Sequence, residues 1–408
     1  MSEDESYKSE RRQYISMIIC WLAYTSACVA RFSYSANIAS IETDYDVNNA
    51  SAGLVMTFFA AAYGAGQFIH GALCRHYPRR QIVPIALIVV SAINLSLFFG
   101  VPFGAIKYLW LVSAVFQSIL WPMSLQIISE NVGKKLMPRA VLLMSTTTSL
   151  GTFLVYGVSA VFVGINYRLT FAFCATLLFA FAIIWYISYK PGHFVKDKKA
   201  EESNTGKSKD KFIYILFPVI LLGLFSLATN FMKDGIQTFV PVIIGSIKKM
   251  PDSFSLLLSL VLPLFGIFGS VMAVALNKKI PKAIPLCLFF FGFISLFNLV
   301  VLLFGKNLFV TVISFGILEL LLHGNSIVIV SIFPLAMREK MGSGALAGIL
   351  NGAAYVGTAL STFLLGKIAD VTGGWSAVFA TLFGVAMSSV IFATVYLLFS
   401  VKQPKLNI

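Results

Sequence analysis

The sequence predicts an all-α membrane protein: twelve transmembrane helices in two six-helix bundles related by pseudo-twofold symmetry. Three observations predict it. The composition is too apolar for a water-facing surface, twelve apolar runs are long enough to span a bilayer, and one polar linker divides them six from six.

Of 408 residues, 58% are hydrophobic and 12% are charged. A soluble domain carries about 25% charged residues, so this chain needs lipid as the solvent for its excess apolar surface. The net charge of +14 would suit nucleic acid. The lysines and arginines, however, lie between apolar runs, so no nucleic-acid partner is expected. Cys20, Cys28, Cys74, Cys174 and Cys287 fall singly inside apolar runs, without the spacing of a zinc site or a disulfide framework. The N-terminal stretch is too polar for a cleaved signal peptide, and the first apolar run is too long for one.

A membrane helix needs roughly 20 apolar residues. Runs of that kind occupy about 14–40, 52–74, 81–100, 106–129, 139–163 and 169–189, then 212–246, 254–276, 283–304, 308–335, 343–369 and 375–400. The long runs 14–40, 212–246 and 308–335 must tilt, bend or protrude. The expected domains are 1–189 and 212–408. The lysine-rich segment 190–211 between them lacks periodicity and reads as a flexible linker.

Loop charge gives the orientation. With the N-terminus inside, the inner segments hold 23 of the 31 Lys and Arg residues, and the outer loops hold Lys107, Arg168, Lys248, Lys249 and Lys306. That bias places both termini in the cytoplasm, with the plasma (inner) membrane as the expected location.

The two halves share local patterns. Tyr167 precedes Phe171 by four residues at the start of the sixth run, and Trp375 precedes Phe379 at the start of the twelfth. Leu150-Gly151-Thr152 in the fifth run parallels Val356-Gly357-Thr358 in the eleventh. Parallel repeats around a central path are a transporter design.

Ionisable residues at depth locate the candidate site. Arg31 lies in the first run, Lys233 and Asp234 in the seventh, and Glu319 and His323 in the tenth; the fourth carries Gln117 and Gln126. The centres of the third, sixth, ninth and twelfth runs carry no charge. A charge at bilayer depth costs roughly 2.5–3.5 kcal/mol on insertion scales, so it persists where it meets water, a partner or a substrate. Counted from Tyr14 and Phe212, Arg31 and Lys233 both come roughly 25–32 Å into their helices. Two cations facing one cavity imply an anion between them, the arginine as a planar fork and the lysine as a point charge. The bland alternative is structural pairing of Arg31 with Glu319 and of Lys233 with Asp234. Neighbours on a helix point apart, which argues against the second pair. Gln117, Tyr34, Asn37 and Gln237 complete the expected substrate-binding set. Glu319 and His323, four residues apart on one helical face, are candidates for proton coupling; the alternative is a packing hydrogen bond. Trp121, Tyr24 and Tyr63 read first as core. The glycines Gly64, Gly66, Gly342, Gly344, Gly348 and Gly352 read as packing and hinge positions.

No GxxxxGK[ST] run, catalytic triad or metal-hydrolase motif appears, so neither an enzyme nor a cofactor or metal is expected.

Six plus six helices, a basic loop after the second and a central linker resemble the major facilitator superfamily over nearly the whole chain. More narrowly, three segments resemble the organophosphate:phosphate antiporters, which include the glycerol-phosphate and hexose-phosphate transporters. They are Arg31-Phe-Ser-Tyr34-Ser-Ala-Asn37, Tyr63 through Gly71 ahead of Pro78-Arg79, and Phe116-Gln117 through Trp121-Pro122. The resemblance implies substrate contact at Arg31 and at Lys233, the latter standing where that family has a second arginine. It implies gating by Arg75, Arg79 and Arg80, with Asp234 assigned to the same role. Departures are Lys233 itself, Ser145 through Ser149 where glycerol-phosphate transporters carry a histidine, and Arg75 at the spacing of the superfamily's loop aspartate.

The resulting expectation is a monomeric secondary transporter of a small organic anion, a phosphate ester or carboxylate, with phosphate or a proton as coupling ion. Organic-carboxylate:proton symport and a non-transporting anion sensor are the alternatives.

Overall fold

The computed structural model describes residues 3–133, 135–189, 209–248, 250–337 and 343–402. Every element is helical. In chain order these are α1 Glu3–Ala36, α2 Ile38–Tyr45, α3 Asn49–Leu73, α4 Arg79–Phe99, α5 Phe103–Asn131, α6 Met137–Ser145, α7 Thr147–Phe162 and α8 Leu169–Ser188. Then follow α9 Lys209–Lys248, α10 Asp252–Ser259, α11 Val261–Asn277, α12 Ala283–Phe304, α13 Leu308–Ile327, α14 Phe333–Ala336, α15 Ser343–Thr372 and α16 Ser376–Lys402. Most of the expected linker, 190–208, lies outside the described residues.

Among the described residues, eleven helical stretches are long and apolar enough to cross a membrane. The run at 139–163 is not in that set; it divides into α6 and α7 at Thr146. Its polar stretch explains the break. Ser145 Oγ, Thr146 Oγ1 and Thr147 Oγ1 each donate to the carbonyl three residues back, at 2.7 Å. Such back-bonding competes with the helical ladder and bends it.

The long runs resolve in different ways. Run 14–40 ends α1 at Ala36, with Asn37 turning the chain into the short α2. Run 308–335 becomes α13, a π turn at Val328–Ile332 and α14. Run 212–246 stays one helix through Pro218 and Pro241.

The chain forms two compact units. The first comprises Met1–Asn37 and Ala65–Glu201, the second Ile38–Gly64 and Glu202–Ile408. In the first, α1 packs on α7 and α8, and α4 on α8. In the second, α9 packs on α15, α11 on α13, and α12 on α16. The opening half of α3 belongs to the second unit and rides on α15. There Thr57 Oγ1 donates to Ala359 O at 2.9 Å, and the Tyr63 and Tyr355 rings lie 5.0 Å apart.

The internal likeness of the two halves has a structural counterpart inside each unit. Phe171 of α8 meets Trp110 of α5 edge-on, with centroids 6.3 Å apart, and Phe379 of α16 meets Phe315 of α13 at 6.1 Å. Gly151 of α7 abuts Cys28 of α1, and Gly357 of α15 abuts the Leu227 carbonyl of α9. Any side chain at either glycine would overlap the first helix of its own half. Small residues of this kind let membrane helices approach closely.

Candidate functional site

The polar residues of the first unit gather on α1 and α5. Arg31 is half-buried, its guanidinium 5.4 Å from the Phe32 ring centroid. One turn on, Tyr34 is fully buried against Trp110, centroids 5.6 Å apart. Asn37 sits at the helix break, where its Nδ2 donates to Ser33 O at 2.8 Å and to Ser159 Oγ at 3.2 Å. Its Oδ1 is buried without a hydrogen-bond partner among the described residues. Gln117 is buried on α5 and donates to Ser113 Oγ at 3.0 Å. Trp121, immediately before the mid-helix Pro122, packs on Tyr24 at 4.9 Å. A polar face that includes Arg31 thus lies along apolar helices, with the side-chain NH2 groups of Asn37 and Gln117 held by neighbouring oxygens.

The basic segment after α3 is anchored in the same unit. Arg79 makes a two-pronged ion pair with Glu130 of α5, the Nη2–Oε1 arm at 2.7 Å. Gln126 donates to the same carboxylate at 2.9 Å, and Trp185 Nε1 donates to Arg79 O at 3.2 Å. Arg80 stacks over the Tyr186 ring at 4.6 Å. The Arg75 side chain lies outside the described residues. Glu130 escaped the sequence reading because a carboxylate at the edge of a span looks solvated; its spacing from Arg79 carries no local signal.

In the second unit, α9 carries the cation. Lys233 Nζ lies 3.5 Å from Asp234 Oδ1, which corrects the expectation that helix geometry argues against this pair. The lysine stem is long enough to turn back along the helix surface and reach its neighbour. Asp234 is held from a second side, since Thr358 of α15 donates its hydroxyl to Oδ2. Gln237, one turn on, is buried. Glu319 is buried on α13, which packs on α9, and the charges acting on Glu319 and His323 are those of Lys233 and Asp234. No hydrogen bond joins Glu319 to His323 among the described residues. Just beyond, Asn325 donates to Thr229 Oγ1 of α9 at 2.8 Å, and the π turn follows. In the second unit a cation, a carboxylate and a hydroxyl are joined directly, Lys233 to Asp234 and Asp234 to Thr358, and Glu319 and His323 lie within range of their charges.

Charged and amide groups thus lie on α1, α5, α9 and α13, and matching glycine and aromatic contacts recur in the two halves. The sequence matches the family model described as Major Facilitator Superfamily over residues 20–338. The chain belongs to this superfamily. Membership makes it a multi-pass integral membrane transporter rather than an enzyme. No curated protein sequence matches it. Solved structures similar to it include a bacterial homolog of the human lysosomal transporter Spinster, at 14% identity and TM-score 0.74, covering 94% of this chain and 95% of that one. The nucleoside transporter NupG is similar at 11% identity and TM-score 0.71, covering 93% and 99%. A D-xylose-proton symporter is similar at 12% identity and TM-score 0.70, covering 94% and 97%. Identities this low establish the major facilitator fold and leave the solute open.

Proposed function

We propose that this superfamily member is a secondary active transporter of a small organic anion, a phosphate ester or carboxylate, working by alternating access. The carrying observation is a cation at depth on the first span of each half, Arg31 on α1 and Lys233 on α9. The anion is the counter-charge for Arg31 and a second anionic partner for Lys233, which Asp234 already neighbours. Gln117, Tyr34, Asn37 and Gln237 contribute polar contacts, and Arg75, Arg79, Arg80 and Asp234 act in gating. The working unit is a monomer of two bundles, 1–189 and 212–408, with both termini cytoplasmic in a plasma membrane. As an antiporter it exchanges the anion for phosphate, in line with the resemblance to organophosphate:phosphate antiporters.

A second reading is proton-coupled symport of an organic carboxylate. It is favoured by the cluster in which Glu319 and His323 share the charged neighbours Lys233 and Asp234. A similar structure is named a D-xylose-proton symporter, so proton coupling occurs on this fold.

Counterflow in proteoliposomes tests both readings. The purified chain is expected to exchange radiolabelled phosphate, phosphate esters or carboxylates, and a pH gradient drives accumulation only in the symport case. Flux of neutral sugars or nucleosides, with no flux of any anion, would remove the proposal.

A further inference from the structure

At one end of the second unit, three carboxylates from three separate helices converge. Asp370, near the end of α15, caps the start of α3. Its Oδ1 accepts from Asn49 N at 3.2 Å and Asn49 Nδ2 at 2.7 Å, and its Oδ2 accepts from Ala50 N at 2.8 Å. The first amides of a helix have no partner within it, and the positive end of the helix dipole favours an anion there. Asp252, at the start of α10, accepts from Ser40 Oγ of α2 at 2.9 Å. Two aspartates of the chain's second half thereby hold the segment Ile38–Gly64. Glu42 of α2 lies two residues beyond Ser40, with its Oε1 buried and lacking a hydrogen-bond partner among the described residues.

Asp370 and Asp252 each have donors that stabilise their charge, and Glu42 Oε1 has none. A half-buried carboxylate with one oxygen cut off from water and from donors, under the influence of two anions, is costly when ionised and less so when neutral. The charges of Asp370 and Asp252 act directly on Glu42. The other charged side chains of the surrounding elements at this end are Asp44, Asp46, Lys306 and Lys367. Lys306 and Asp370 both line a cavity of about 920 Å³. The side chain of Lys248, which ends α9, and all of Lys249 lie outside the described residues.

We propose that Glu42, Asp252 and Asp370 form a proton-set latch: a proton on Glu42 keeps Ile38–Gly64 joined to α10 and α15, and its loss drives Glu42 from the two aspartates and frees the segment. The latch is independent of which solute is carried.

Burial, and then the charges of Asp370 and Asp252, push the Glu42 carboxyl up to about 8. Once released into water, the same carboxyl returns to the ordinary range near 4.5. The latched state therefore binds the proton more tightly, and acid favours it. Between those two values the latched population loses ground by up to about tenfold per pH unit. Below the lower value and above the upper one, the preference is flat.

Amide hydrogen exchange of the full-length protein in nanodiscs reads the latch, because the amides of Asn49 and Ala50 are the bonded groups. Peptides covering residues 48–53 would be followed from pH 5 to 9, with rates corrected for intrinsic base catalysis. A peptide from α4 serves as the reference. The expected result is protection of 48–53 that falls with pH up to about 8 and then levels, while α4 stays constant. Glu42→Gln, a permanently neutral mimic, should keep high and pH-independent protection. Asp370→Asn should lower protection at every pH and flatten its slope. A flat wild-type profile, a parallel fall in α4, or a Glu42→Gln slope equal to wild type overturns the latch. The wild-type profile against its α4 reference decides the matter even if a variant fails to fold.

Discussion

Lys233 Nζ lies 3.5 Å from Asp234 Oδ1, although the two residues are consecutive on α9. Asp234 is bound on its other side by the Thr358 hydroxyl. The lysine is thus held at depth by a carboxylate that is itself fixed to α15. Removing Asp234 while keeping the lysine takes a neighbouring negative charge away from a half-buried cation. Asp234→Asn is expected to lower the thermal midpoint of the apo protein in a melting assay. A saturating anion should recover more stability in the variant than in wild type, because the ligand then supplies the missing counter-charge. Equal ligand shifts in both proteins would contradict this role.

Glu319 is buried on α13 beside the same pair. Glu319→Gln removes a titrating group with little change in size. In proteoliposomes it should leave anion exchange within about twofold of wild type while abolishing accumulation driven by a pH gradient. Intact gradient-driven accumulation in Glu319→Gln would assign coupling elsewhere.

Gly151 and Gly357 each press on the first helix of their own half. Overpacking at such a contact typically costs about 1–3 kcal/mol. Gly357→Val and Gly151→Val should each reduce the folded yield and lower the melting midpoint. Gly164→Val is the control, since a Cβ there meets open space. Comparable losses in all three variants would show that close approach is not the cause.

The Arg79–Glu130 pair is partly exposed, with side chains 17% and 32% accessible, so screening limits its contribution to about 1 kcal/mol. Arg79→Glu and Glu130→Arg should each weaken stability by more than the pair is worth, because each creates a like-charge contact. The double reversal should recover most of the loss. Additive damage in the double variant would mean the two side chains act separately.

Much of the fold was legible because membrane spans are governed by length and apolarity alone. The runs at 81–100 and 283–304 meet α4 and α12 almost end to end. The division of the fifth span at Thr146 was not, because hydropathy averages over the hydroxyl back-bonds that bend it. The π turn after α13 leaves no compositional trace. At the candidate site the residue types could be read, since a charge inside an apolar run stands out against its surroundings. Their partners could not. Thr358 is 124 positions from Asp234, Glu130 is 51 from Arg79, and Asp370 is 320 from Ala50. Such pairings arise from tertiary packing. Lys233 and Asp234 failed for the opposite reason: a rule about helix faces ignored the reach of a four-carbon side chain.

The account turns on Arg31 and Lys233 serving one bound anion. Calorimetric titration of an anion that the wild type exchanges, against purified wild type, Arg31→Ala, Lys233→Ala and the double variant, measures this directly. Each single change is predicted to weaken binding by at least about tenfold, about 1.4 kcal/mol. The double change should cost clearly less than the sum of the two, as expected for groups that share a ligand. Wild-type affinity in either well-folded single variant, or strictly additive losses, would contradict the account.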